Sequence, residues 1–290
     1  MLRRLLALAV IALTAAATVQ ARQAPGAIAD LKTTPEKTDY KSTSTYDDVV
    51  AFMKAVDAAS KDITVVTYGE TFEKRAMPMA IIGSGLTATT PAAIKATGKL
   101  RVHIQGNIHA GEVEGKEATL VLLREFAMGQ HKDWLENMVF FVTPIFNADG
   151  NEKFAMNNRG PQNGPVNGQG TRANGMGLNI NRDFMKMETP EARAFAKLWN
   201  AYDPHVGFDL HTSDGSTHGY YLTYAPGLNP NTSSAILDIQ KLEWFPAVTK
   251  AIKAKHGWDT FYYGNVSGGA RGGGRGGAPG APGAGRQGAA

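Results

Sequence analysis

Apolar and polar positions fall into blocks whose period changes along the chain. From Tyr46 to Ser60 (YDDVVAFMKAVDAAS) apolar side chains recur at helical spacing, with Asp47 and Asp48 in the first turn. Runs at Ile63 to Tyr68, Met77 to Ile82 and Leu100 to Ile108 read as strands. A helix is expected from about Val113 to Met128, followed by a strand from Met138 to Phe146 (MVFFVTPIF). The near-continuous apolarity of that strand predicts burial on both faces. Pro190 to Tyr202 reads as a helix, Val206 to Leu210 as a short strand, and Ser233 to His256 as a long helix broken or kinked near Pro246. Strands alternating with helices predict an α/β sheet with helices on both sides. In such sheets ligands collect at the carboxyl ends of strands.

The two ends of the chain follow different rules. Residues 1 to 21 (MLRRLLALAVIALTAAATVQA) place Arg3 and Arg4 before an apolar run of signal-peptide length and end in a small-residue cleavage site after Ala21. The run is too short for a comfortable membrane span, so export to the periplasm or the exterior is expected. Residues 267 to 290 are dominated by Gly, Ala and Pro and offer almost no apolar side chains to bury, so a flexible tail is expected. Between them, about 22 to 266 has the length of one domain. Within that region, 22 to 44 are polar and turn-rich, suited to the surface.

Charge and cysteine content narrow the chemistry. The whole chain carries a formal charge of +4, and loss of Arg3 and Arg4 with the leader leaves +2. A balance this small predicts neither a nucleic-acid partner nor, after cleavage, a membrane partner. There is no cysteine, which excludes disulfides, thiolate zinc ligands and a cysteine nucleophile. Any metal must be held by nitrogen and oxygen.

GNIHAGEVEG, residues 106 to 115, puts His109 and Glu112 where a strand gives way to a helix. Alone, the pair fits a metal site, an acid/base pair, or a polar loop with a helix-start carboxylate. His211 falls at the end of another strand, in GFDLHTSDG. Two histidines and a carboxylate complete the protein's share of a catalytic zinc site and leave the fourth position for water. A further cluster, TRANGMGLNINRDF, holds Arg172, Asn179, Asn181 and Arg182. Guanidinium groups and an amide beside a metal suit an anionic substrate, because a guanidinium clamps a carboxylate through two parallel bonds.

These motifs together resemble the zinc carboxypeptidases. The resemblance runs from about Tyr46 to Tyr224 and rests on GNIHAGEVEG, TPIFNADGNE, TRANGMGLNINRDF, PEARAF and FDLHTS in that order. It implies a mixed, mostly parallel central sheet with helices on both faces, incomplete at the C-terminus. It implies one zinc ion held by His109, Glu112 and His211, with Asn181 and Arg182 taking the terminal carboxylate of a substrate. Arg172 would polarise the scissile carbonyl and steady the oxyanion. The implied activity is metal-assisted hydrolysis of C-terminal peptide bonds in a peptide, or a small amide, bearing a free carboxylate. Alternatives are a zinc deacylase or amidase acting on a non-protein amide, and an inactive module that binds peptide termini.

The chain departs from the family in two places. Asn179 stands where the family usually has an aspartate behind the first zinc histidine, which leaves the histidine an uncharged acceptor. After His211 there is a single glutamate, Glu243, in DIQKLEWFPAV, which reads as a helix face and is not assigned as the general base. The segment expected to carry that base, a substrate-capping tyrosine and the specificity pocket is missing, and a truncated chain is the simplest expectation. Elsewhere, Glu114 and Glu117 read as solvated first-turn residues and His103 as a buried, hydrogen-bonded histidine. His218 reads as structural, and Asp209 reads equally as an outer partner of the metal site or a pocket residue. Ser213 has no histidine and carboxylate relay by motif.

Overall fold

The computed structural model describes residues 28–160, 162, 164–213 and 218–264. The leader at 1 to 21 and the tail at 267 to 290 lie outside the described residues. Those up to Thr212 form one compact unit and those from Ser213 a second.

The first unit is built on a five-stranded sheet, in the order β1-β2-β4-β3-β5. Its strands are β1 (Ile63–Glu70), β2 (Ala76–Ile82), β3 (Leu100–Gly106), β4 (Met138–Thr143) and β5 (Val206–Leu210). β1 and β2 form an antiparallel hairpin, and β2 also pairs antiparallel with β4. β3 runs parallel to both β4 and β5, with His103 opposite Phe141 on one side and Gly207 on the other. The sheet is therefore mixed, with the parallel strands grouped at the β5 end.

β2 and β4 are almost wholly apolar because both faces are covered. Phe140 and Val142 of β4 pack with Ala80 and Ile82 against Val49, Phe52 and Val56 of α2 (Tyr46–Ala59) and Leu120, Leu123 and Phe126 of α4 (Glu114–Ala127). Val139 and Phe141 point the other way, with Met79 and Ile81, onto Ile94 of α3 (Pro91–Ala96) and Leu198 of α7 (Pro190–Tyr202). This alternation within a continuous apolar run is what a strand buried on two faces requires. The starts of α2 and α7 are fixed locally. Thr45 and Asp48 exchange hydrogen bonds as a capping box on α2, and Thr189 accepts from the Ala192 N–H ahead of Pro190 on α7.

The N-terminal segment is more deeply embedded than its polarity suggests. Ile28, Thr33, Thr43 and Ser44 are buried. Around the one-turn helix α1 (Thr34–Lys37), Glu36 accepts two 2.7 Å bonds from Arg124 of α4. Lys116 of α4 is fully buried and donates to the Ser44 carbonyl and to Asn151 Oδ1. Glu117, expected to be solvated, instead accepts from Thr43 Oγ1 and from both the N–H and the hydroxyl of Ser44, whereas Glu114 is exposed. Donors and acceptors in 33 to 44 thus satisfy charged groups on α4, and that pairing compensates for a surface segment poor in apolar side chains.

Two further elements complete the first unit: α5 (Lys132–Asn137) before β4, and α6 (Ala148–Asn151) after it. β3 ends at Gly106 because Asn107 is left-handed, with φ 67°, and its side chain bonds the Ala110 carbonyl. Ile108 and Phe146, expected inside strands, lie just past them and pack with Met77 and Ile180 into a separate apolar cluster. The first turn of α4 then closes on the sheet through Gly115. A Cβ on Gly115 would lie 2.6 Å from Leu210 Cβ, so only glycine admits this approach.

The second unit pairs β6 (Leu222–Tyr224) parallel to β7 (Thr260–Tyr262). Its helical stretch comprises α8 (Ser234–Asp238), a π-helical segment Ile239–Trp244 and α9 (Phe245–His256). The interruption expected near Pro246 is thus a widened turn rather than a break. Proline lacks an N–H and its ring crowds the carbonyl four residues back, and the π-helical turns accommodate both. Among the described residues no helix is long and apolar enough to cross a membrane.

Candidate metal centre

The carboxyl ends of β3 and β5 place three side chains together. His109 and Glu112 lie in the turn leaving β3, which is held by Ala110 N–H to Thr171 O at 3.0 Å and Glu112 N–H to His109 O at 2.8 Å. His211 follows directly on β5. One ligand atom from each of His109, Glu112 and His211 lies within 4.8 Å of the others. His109 and Glu112 are buried, and the His211 side chain is 32% exposed.

The protonation pattern follows from the outer contacts. Asn179 Oδ1 accepts from the Asn181 backbone N–H at 3.1 Å, which fixes the amide orientation. The same oxygen lies 3.1 Å from His109 Nε2, so that nitrogen donates, and in the neutral ring Nδ1 is then the bare one. Arg172 agrees: its Nη1, which can only donate, lies 3.4 Å from His109 Nδ1. On the other imidazole, His211 Nε2 donates to Asp209 Oδ2 at 2.9 Å. The neutral ring then also presents a bare Nδ1.

Both Nδ1 atoms point at one carboxylate. Glu112 Oε1 is 2.9 Å from His109 Nδ1, and Oε2 is 2.8 Å from His211 Nδ1. Lone pair facing lone pair at that distance is repulsive unless a cation is shared. Two imidazole nitrogens and a carboxylate, each imidazole backed by an oxygen, form a donor set suited to zinc. Without a metal, protons take that role. Burial opposes charge on His211, but hydrogen bonds to Asp209 and Glu112 outweigh it and hold its pKa up at about 9. Burial likewise pushes Glu112 up, and its bonds to the two imidazoles overcome this and hold it at about 2.

The remaining expected residues fall at different depths. Arg172 is 42% exposed and also approaches Glu112 Oε1 at 3.9 Å, so its guanidinium borders the ligand group. Asn181 is half-buried in a 3-10 turn, Ile180–Arg182, pinned by Ile180 in the apolar cluster below. Arg182 is exposed and donates from Nη1 to the Asn181 carbonyl at 2.7 Å. Asp209 is an outer partner of the ligand group, and Gln105 Nε2 steadies its other oxygen at 3.2 Å. In the second unit, His218 stacks on Tyr263 at 5.2 Å between ring centres.

Arg159 is a site residue that sequence reasoning did not reach. Its Nη2 donates to Glu112 Oε1 at 2.6 Å with only 6% of its side chain exposed. It lies in NNRGPQNG, a turn-forming stretch with no periodicity, and no spacing ties it to the histidines.

The sequence model of the zinc carboxypeptidase family matches residues 49–230. Carboxypeptidase 2 of Trichophyton rubrum is 31% identical over 117 residues, 39% of this chain and 18% of that protein. Carboxypeptidase 2 of Trichophyton tonsurans is 30% identical over 117 residues, with 39% and 18% covered. This chain therefore spans about a fifth of the length of the curated relatives it matches. Among solved structures, carboxypeptidase A from Helicoverpa armigera superposes with a TM-score of 0.57 at 18% identity, over 83% of this chain and 63% of that one. A metallo-carboxypeptidase from Burkholderia cenocepacia gives 0.55 at 21% identity, over 77% and 54%. At such identities the superpositions speak for the fold, while the family match covers more than half of the chain. With the ligand geometry and the match in agreement, the chain belongs to the zinc carboxypeptidase family.

Proposed function

We propose that His109, Glu112 and His211 hold one zinc ion, and that the site acts on the C-terminal bond of a peptide or small amide with a free carboxylate. The observation that carries this reading is the pair of Nδ1 atoms aimed at opposite oxygens of Glu112, with a ligand atom of each residue within 4.8 Å of the others, an arrangement that suits a shared cation. Zinc there would supply Lewis-acid polarisation of a carbonyl and a water of lowered pKa.

The chain's own residues have separate parts. Arg172, bordering the ligand group and partly exposed, would donate to the carbonyl oxygen as negative charge develops on it. Asn181 and Arg182, on the adjoining turn, would take the substrate carboxylate, the guanidinium exchanging its bond to the Asn181 carbonyl for one to the anion. Asn179 and Asp209 keep the Nε2 protons in place so that both Nδ1 atoms stay free. We further propose export behind the leader at 1 to 21, and a single domain over 22 to 266, supported by a family match that runs through 49–230.

Binding of peptide termini without rapid turnover is the second reading. It is favoured by the engagement of Glu112, whose two oxygens each face an imidazole and take a second donor, so that this carboxylate is not available as a base. Mass spectrometry on the zinc-loaded protein with one peptide, as free acid and as C-terminal amide, tests both. Loss of the last residue from the free acid alone supports the peptidase. Binding of the free acid alone without cleavage supports the second reading, and equal cleavage of both forms contradicts each.

A further inference from the structure

Glu112 is held from outside as well as inside. Each carboxylate oxygen faces an imidazole, and each also takes a second donor: Oε1 from Arg159 Nη2 at 2.6 Å, Oε2 from the Thr212 backbone N–H at 3.2 Å. An ionised carboxylate offers about four lone-pair sites. The two outer donors therefore leave one site on each oxygen directed at the Nδ1 atoms.

The arginine is built into this position. Its Nε donates to Gln162 Oε1, and Gln162 Nε2 donates to Thr212 Oγ1 at 2.8 Å, so the two outer donors of Glu112 are tied to each other. Its stem lies over Gly111, where a Cβ would come within 2.3 Å of Arg159 Cγ and 2.5 Å of Cδ. The glycine just before Glu112 thus opens the channel through which the guanidinium reaches it.

We propose that Arg159 is a positioning residue for the metal. Through Glu112 Oε1 it fixes the rotation of the carboxylate and compensates its buried charge, so that the inner lone pairs are aimed before the metal arrives. The proposal rests on zinc at His109, Glu112 and His211. A guanidinium that merely stood in for the metal would act with the opposite sign, since removing it would tighten metal binding.

Zinc affinity, measured by competition with a chromophoric chelator at fixed pH, separates these cases. Arg159→Met keeps the stem over Gly111 and removes the donors; it should weaken zinc binding about 10- to 100-fold while circular dichroism stays as in the wild type. Arg159→Lys, which restores a donor without the fork to Gln162, should recover part of the loss. Unchanged or tighter binding in Arg159→Met overturns the proposal, as does Arg159→Lys behaving no better than Arg159→Met. Should Arg159→Met fail to fold, Gln162→Met decides: weaker binding supports the tether, and wild-type affinity overturns it. His211→Ala is the control. Loss of zinc there with unchanged affinity in Arg159→Met removes only this inference, whereas wild-type affinity in His211→Ala removes the metal assignment as well.

Discussion

Asn179 Oδ1 sits 3.1 Å from His109 Nε2 and sets the tautomer of that histidine with an uncharged oxygen. A carboxylate in the same place would raise the basicity of His109 and favour the metal-bound state. Asn179→Asp should therefore tighten zinc binding, by up to about tenfold, and Asn179→Leu should weaken it about 10- to 100-fold. Chelator competition reads both, and tighter binding in the leucine variant would contradict the role.

Arg172 is expected to act on the substrate rather than on the metal. Its guanidinium borders the ligand group at 3.9 Å from Glu112 Oε1 and remains partly exposed. Arg172→Ala should keep zinc content while lowering kcat/KM for a C-terminal dipeptide bond about 10²- to 10³-fold. Loss of zinc in parallel with activity would show that the arginine supports the ligands instead.

His103 gives the protein a weakness in mild acid. Trp199 Nε1 donates to its Nδ1 at 3.4 Å, and Nε2 faces Thr143 Oγ1 at 3.1 Å, so the buried ring is held neutral. Burial, opposed in part by Asp209, lowers its pKa from 6.5 to about 4. The unfolded chain then binds a proton that the folded one refuses, so stability falls as pH drops from about 6.5 to about 4, by up to roughly 3 kcal/mol. Urea unfolding of wild type and His103→Gln across that range should show the variant losing less. Parallel pH dependence would mean other groups dominate.

Lys116 ties α4 to the N-terminal segment. Lys116→Met would leave Asn151 Oδ1 without its buried donor, the Ser44 carbonyl with Asn151 Nδ2 alone at 3.2 Å, and Glu117 without its 3.7 Å partner. A loss of about 2 to 4 kcal/mol is expected in urea unfolding. A neutral result would mean that water replaces the ammonium.

What the sequence disclosed tracks how each residue is satisfied. The run from Met138 announced β4 because burial on two faces demands apolar side chains at every position. Its end was overestimated for the same reason: Ile145 and Phe146 are as buried as the strand, yet lie past its last ladder pair. Hydrophobicity reports burial and is silent about where hydrogen bonding stops. The grouping of His109, Glu112 and His211 was legible because the residue types able to hold a metal are few and these three stand at strand ends. Arg159 and Lys116 were not, since a buried cation announces itself only through partners distant in sequence: Glu112 and Gln162 for one, Ser44 and Asn151 for the other.

The metal content of the purified chain bears most directly on the centre as a whole. Elemental analysis after equilibration with zinc and removal of free ion should give about one zinc per wild-type chain, and far less in His211→Ala, where two ligands remain. Wild-type zinc in that variant, or none in the wild type, would contradict a centre made by His109, Glu112 and His211.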